Sequence, residues 1–545
     1  MNLYKFLQNE HPSFGARLIG AACFSGVVNG ILAGILVTAA NNAKANDLNF
    51  QFFLFFALAL GAFIYSKKYT LDKTAEIVEA VLEKIRLRIA GKIRGTDLQN
   101  FNSIGSSPLY TALTVDTQMI SQTSGQIINA ASSMIMVLIA SIFIFFLSPL
   151  AFFMTVGMIG IIIGFYFNRR NKLNDSLTKA TQMENDYFDA LNDLLSGFKQ
   201  LKLNSNKSED FFETRIQKLS NEVVDLKIST TKSFNQVSIL SQIFFYVLLG
   251  GIVFILPSIS PDQADTVVGI TSIILFIVGP ITEVVGLGPS LAKTTVAIKN
   301  IYAIEQRLDS NENKSGQQPQ TKQVAKYKPE FKELKCVGCK YSYPNADGHH
   351  SFKLGPIDFE LKAGEVVFVV GGNGSGKSTF MNVLTSLFPL VEGSIYLNGR
   401  VLTDGEIQGY RDLFSTIFTD FHLFDRLYGV ENYDQEEADA LIRAMEIDHV
   451  TSICDKQITN RNLSTGQKKR LALALTRIED KPIFIFDEWA ADQDPQFRKY
   501  FYNEIIPELK RKGKTIVAVT HDDHYFSAAD RIIKLEFGSV VPFQP

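Results

Sequence analysis

Apolar residues run almost unbroken for long stretches in the first 300 positions, then give way to short runs separated by polar, helix-like segments. Six long runs cover about 17–40, 50–66, 125–147, 150–167, 236–256 and 266–288. Each is near the ~20 residues that a helix needs to cross roughly 30 Å of hydrocarbon. The gaps after runs two and four hold 58 and 68 residues and the other gaps are short. Within the long gaps, Thr74 to Arg94 and Asn174 to Leu203 carry apolar residues at three- and four-residue intervals, which predicts helices continuing out of the membrane. Turns near Ser103–Leu113 and Ser205–Glu213 are expected to reverse the chain, and the Gly279-Pro280 pair is expected to bend the last span.

Charge sets the orientation. Segment 67–124 carries eight Lys and Arg and segment 168–235 carries eleven, against Lys44 alone in the short loops. The positive-inside bias puts both long gaps, and with them both termini, in the cytoplasm. From Asp309 the composition turns to Ser, Asn, Gln, Lys and Pro without periodicity, the mark of a linker. The expected division is a membrane domain over 1–308, a linker over 309–325 and a soluble domain over 326–545. In the last of these, buried strands are predicted at Glu365–Val370, Ser394–Leu397, Lys481–Phe486 and Thr515–Val519. With a helix at Ser378–Phe388 between them, they read as α/β with a mostly parallel sheet.

The averages conceal this contrast. The 545 residues have a net charge of −2, 46% hydrophobic and 20% charged residues, and 43 Phe beside one Trp. Balanced charge argues against a nucleic-acid binder that relies on a basic face. Four scattered cysteines exclude a disulfide scaffold. Cys336 and Cys339 resemble half a zinc or redox motif with no second pair, and His349-His350 reads as a solvated turn. Among polar residues in or near the spans, Glu283 is a candidate for a substrate cavity; the competing reading is hydrogen bonding between helices, or a position near the cytoplasmic end of the last span.

The chemistry lies in the soluble half. Gly371-Gly-Asn373-Gly374-Ser375-Gly376-Lys377-Ser378, followed by Thr379, is a complete phosphate loop between a strand and a helix. Its backbone N–H groups would close around phosphate oxygens. Lys377 would reach the β- and γ-phosphates and the Ser378 hydroxyl would bind Mg²⁺. The strand ending at Asp487-Glu488 offers one carboxylate to the metal and a second to orient the attacking water or take its proton. His521, after the next strand, is placed for a γ-phosphate contact.

Leu463-Ser464-Thr465-Gly466-Gln467 stands between these elements and resembles the signature of ATP-binding cassette (ABC) ATPases. The likeness implies that Tyr343, 28 residues before Gly371, stacks on adenine. It also implies that Asp494 is the D-loop aspartate and His521 the switch histidine. The usual glutamine is replaced: Ile417-Phe418-Thr419-Asp420 stands where the family pattern has a hydrophobic residue followed by Gln, leaving Thr419 or Asp420 to contact the metal. Six helices with two long excursions resemble the exporter-type membrane domain. The strings GGNGSGKST, FTD, LSTGQKKRLAL, DEWAADQDPQFRKYFY and THDDHYF are similar to the bacterial cyclic-peptide and siderophore-peptide exporter group, which includes pyoverdine, syringomycin and microcin exporters. This resemblance implies a homodimer in the inner membrane that binds ATP and Mg²⁺. In it, Ser464, Gly466 and Gln467 would face the partner's nucleotide, and a periplasmic or outer-membrane efflux partner is a further expectation. A siderophore importer or lipid or drug flippase on the same fold, and a membrane-anchored ATPase regulator without cargo, stay open.

Overall fold

The structure, a computed structural model, describes residues 3–10, 14–41, 50–259, 266–309, 329–343 and 352–543. The expected linker and His349-His350 lie outside the described residues. The chain divides into two compact units, one of Met1–Arg94 with Ile104–Leu308 and one of Gly95–Ser103 with Asp309–Pro545.

The first unit is helical. Its main elements are α1 (Phe14–Asn41), α2 (Phe50–Gly95), α3 (Thr117–Leu147), α4 (Pro149–Ser196), α5 (Lys218–Gly250) and α6 (Val267–Asp309). Five stretches among the described residues are long and apolar enough to cross a membrane, and Pro149–Phe165 in α4 is a shorter apolar one. α4 starts at a cap: the Ser148 hydroxyl accepts from the Ala151 N–H, and Pro149 needs no donor at the first helical position. α2 continues to Gly95, so its apolar run is only its N-terminal part. Phe53, Leu54, Phe55 and Leu58 point outward, as lipid contact requires.

Two expected turns are helical instead. Leu98–Ile104 and Ser106–Thr111 form short helices broken at Gly105, and Ser205–Phe211 is a helix capped by the Asn204 side chain on the Lys207 N–H. The breaks between these helices are one or two residues long, at Thr96-Asp97, Gly105, Gly197 and Asn204, so a capping residue ends one helix and starts the next without a longer loop. α6 runs on through Pro280 and Pro289.

α1 packs along α3 and α5 along α4. Gly26, Gly30 and Gly34 form a stripe on α1. A Cβ at Gly26 would stand 2.5 Å from the Ser132 carbonyl, at Gly30 2.8 Å from Ile139, and at Gly34 2.6 Å from the Phe143 ring. Small residues four apart let two backbones approach this closely in lipid, where van der Waals packing replaces the hydrophobic drive.

The second unit is layered α/β. A six-stranded sheet has the order β12-β11-β3-β10-β9-β6, built from β3 (Val366–Val370), β6 (Phe414–Ile417), β9 (Ile483–Asp487), β10 (Thr515–Val519), β11 (Arg531–Glu536) and β12 (Ser539–Val541). All its pairings are parallel except β11 with β12. β3, β9 and β10 are buried throughout, which explains their uniformly apolar sequences. An antiparallel sheet of order β2-β1-β4-β5 is built from β1 (Glu333–Ser342), β2 (Lys353–Lys362), β4 (Glu392–Leu397) and β5 (Arg400–Val401), and β7 (Ile453–Cys454) pairs with β8 (Gln457–Ile458). Helix α7 (Lys377–Leu384) follows β3, and α8 (Thr465–Glu479) precedes β9.

Candidate nucleotide site

Parallel strands bring their carboxyl ends to one edge, and the loops leaving that edge carry the polar residues. β3 opens into Gly371, β9 ends at Asp487, β10 is followed by Thr520 and His521, and β6 by Phe418, Thr419 and Asp420. Residues as distant as Gly371 and His521 therefore meet because β3 lies beside β10 and β10 beside β9.

The phosphate loop needs glycine at identifiable points. Gly376 has φ +100°, and a Cβ there would sit 2.7 Å from the Phe352 ring; at Gly371 (φ +151°) it would meet the Leu535 carbonyl at 2.3 Å. Lys377, 6% exposed, curls back so that Nζ donates to the Gly371 and Gly372 carbonyls at 3.0 and 3.1 Å. The same amino group stands 3.7 Å from Glu488 Oε1.

Asp487 is 1% exposed, and neither carboxylate oxygen has a hydrogen-bond partner. Burial pushes its carboxyl above the usual carboxylate range, with Glu488 and Asp420 adding to the effect and the Ser378 hydroxyl and Lys377 opposing it. An orphaned buried carboxylate beside a serine hydroxyl is costly unless a cation completes it. The donor set is all oxygen, which suits Mg²⁺. Asp420 is thus near enough to act on this centre electrostatically; both it and Thr419 are exposed.

Glu488 holds φ +50°, unusual for a residue with a Cβ, and its N–H donates to the Val519 carbonyl at 3.2 Å. His521 Nε2 lies 3.3 Å from Glu488 Oε1. A carboxylate flanked by an imidazole and the loop lysine can orient a water against a phosphate lodged in the loop. Tyr343 directly follows β1, its hydroxyl 3.2 Å from Thr379 Oγ1 and its ring edge-on to Phe388. It is 40% exposed beside the phosphate loop.

The LSTGQ segment lies elsewhere. Ser464 caps α8 reciprocally: its hydroxyl accepts from the Gln467 N–H at 3.3 Å, and its own N–H donates to Gln467 Oε1 at 3.1 Å. Ser464, Gly466 and Gln467 line a cleft of about 670 Å³ with Arg470, Gln493 and Asp494, and no residue of the phosphate loop lines it. Asp494 accepts from the Phe497 N–H, which with Arg470 holds its carboxyl below the usual range. Gln493 donates to the Gly466 carbonyl at 3.2 Å and accepts from Arg470 Nε at 2.9 Å. Gln493, Arg470, Lys469 and Trp489 lie within the LSTGQKKRLAL and DEWAADQDPQFRKYFY strings, but the strings alone assign them no role.

Of the remaining candidates, Glu283 is exposed and accepts a hydrogen bond from Ser133 of α3 at 2.5 Å. Cys336 and Cys339 lie buried in β1. No group of three or more His, Cys, Asp or Glu side chains placed to hold a metal by themselves occurs among the described residues.

This arrangement of phosphate loop, acidic strand end and separate signature defines an ABC ATPase fused to membrane helices, and the comparisons agree. Residues 354–491 match the ABC transporter family and residues 17–281 the ABC transporter transmembrane region. The chain is 30% identical to the ATP-binding protein SyrD of Pseudomonas syringae pv. syringae, over 99% of this chain and 96% of that protein. It is 24% identical to the ATP-dependent lipid A-core flippase of Ralstonia nicotianae, over 85% of this chain and 78% of the relative. The Haemophilus influenzae flippase gives 24%, over 84% and 79%. A solved bacterial Atm1-family ABC exporter with ATP bound shares the fold at TM-score 0.74 and 15% identity, covering 96% of this chain and 93% of that one. The chain belongs to the ABC transporter family. It is a multi-pass membrane protein of the exporter type that binds and hydrolyses ATP.

Proposed function

We propose that the chain is one half of a homodimer that exports a cyclic peptide or peptide-like siderophore from the cytoplasm across the bacterial inner membrane. The observation that carries the dimer is the separation of the signature from the phosphate loop: the cleft lined by Ser464, Gly466 and Gln467 contains none of the loop residues. Each cleft would close over the partner's nucleotide, giving two equivalent sites.

Within each site the residues divide the work. Tyr343 stacks on the adenine. Gly371, Asn373, Gly374, Ser375, Gly376 and Thr379 surround the phosphates, and Lys377 reaches the terminal ones. Ser378 and Asp487, with Asp420 or Thr419 nearby, would hold Mg²⁺, which when bound neutralises phosphate charge. Glu488 orients the water and His521 contacts the γ-phosphate, while Asp494 joins the signature to the partner. Closure of the cassettes on ATP opens the membrane cavity outward, and hydrolysis resets it.

The peptide class of cargo is supported by the likeness of the motif strings to the peptide-exporter group and by 30% identity to SyrD, against 24% to the two flippases. Export of a lipid is the second reading, favoured by those same flippases. Comparing the extracellular metabolites of cells with and without the chain tests the choice. Loss of a peptide or siderophore from the outside, with its retention inside, supports the proposal; unchanged peptides with lipid retained on the inner leaflet would replace it with the second reading.

A further inference from the structure

Two residues after the LSTGQ segment, α8 carries a lysine that does not behave like the solvated cation its sequence context suggests. Lys469 is only 4% exposed. Its Nζ donates to the Glu488 main-chain carbonyl at 2.9 Å and pairs with Asp492 Oδ2 at 2.7 Å. The lysine's own carbonyl accepts from the Trp489 indole N–H at 2.8 Å, so the two segments are tied in both directions. Glu488 is where such a tie has consequences, because its left-handed backbone (φ +50°) is a minority conformation that the surroundings must hold. The opposite side of the same residue is fixed by its N–H on Val519.

We infer that Lys469 is a positioning residue for hydrolysis: it clamps the Glu488 carbonyl, holds that residue's left-handed turn, and so aims the carboxylate. Because Lys469 sits on the helix that Ser464 caps, the clamp also links the signature cleft to the catalytic carboxylate of the same chain. The inference rests on Glu488 being the carboxylate that orients water. Lys469 is buried and its ammonium is engaged by the Glu488 carbonyl and Asp492, so its loss should alter turnover and leave binding alone.

The test uses the full-length chain reconstituted in lipid nanodiscs, with steady-state ATPase kinetics and separate binding of a fluorescent ATP analogue. Lys469→Met keeps the packing of the stem and removes the donor. Its kcat should fall about tenfold or more, with KM and analogue affinity within about threefold of the parent. Lys469→Arg, which keeps a cationic donor, should recover most of the loss. The double variant Lys469→Met/Asp492→Asn leaves no carboxylate without its partner, guarding against misfolding, and should show the same kcat defect. Parent-like kcat in either Met variant would overturn the inference, as would a defect confined to KM. In a Glu488→Gln background, Lys469→Met should cause no further loss of the residual rate; a multiplied loss means that the lysine acts by another route. If Glu488→Gln alone turned over at the parent rate, it is the assignment of the carboxylate that fails.

Discussion

At the scale of single residues, the site is a set of charges placed where charge is expensive. Asp487 is the clearest case, buried with two unpartnered oxygens and a carboxyl pushed upward by desolvation. A raised folded-state value means that the folded chain takes up a proton there at higher pH than the unfolded chain. The ionised form therefore costs stability above that range, and the cost fades as pH falls through it. Asp487→Asn should raise the apparent unfolding temperature in EDTA at neutral pH by the equivalent of about 1–3 kcal/mol. The gain should shrink as the pH drops toward the carboxylate range, and Mg²⁺-dependent ATP binding should be lost. A variant less stable than the parent in EDTA would show that the carboxylate is satisfied without a cation. Asp487, Glu488 and Lys377 were all legible from their motifs. Lys469 was not, because the burial of a lysine on a polar helix face is decided by tertiary packing that periodicity does not record.

Among elements, the strands were the most legible part: Thr515–Val519 is β10 to the residue, and Lys481–Phe486 overlaps β9. Fully buried parallel strands write themselves as apolar runs. Helix ends were read less well, as at Ser205–Glu213, because one capping side chain such as Asn204 substitutes for a whole turn. The glycine stripe on α1 was invisible for a different reason: in an apolar run every face is hydrophobic, and only the partner helix shows which one needs to be small. Gly30→Leu should lower the thermal stability of the detergent-solubilised protein by about 1–3 kcal/mol through overpacking against Ile139. Gly20→Leu, where nothing lies within 4 Å, should not. Equal behaviour of the two would remove the stripe from the account of α1–α3 packing. In the phosphate loop, Gly376→Ala combines a positive φ with a clash on Phe352. Such strain costs on the order of 1–3 kcal/mol, and ATP affinity, measured by titration of a fluorescent analogue, should fall about tenfold. Unchanged affinity would mean that the loop tolerates a Cβ there.

For the whole molecule, the small net charge and the modest hydrophobic excess are averages over an apolar helical unit and a soluble ATPase. Coupling between them is the central claim, and it concerns movement rather than hydrolysis alone. The most direct measurement is ATP-dependent accumulation of a labelled amphipathic cyclic peptide inside proteoliposomes whose cassettes face outward, comparing the parent with Glu488→Gln. The account predicts accumulation that needs ATP and Mg²⁺ in the parent and its absence in the variant, which should still bind ATP. Hydrolysis by the parent with no accumulation of peptide, or accumulation that persists undiminished in Glu488→Gln, would contradict it.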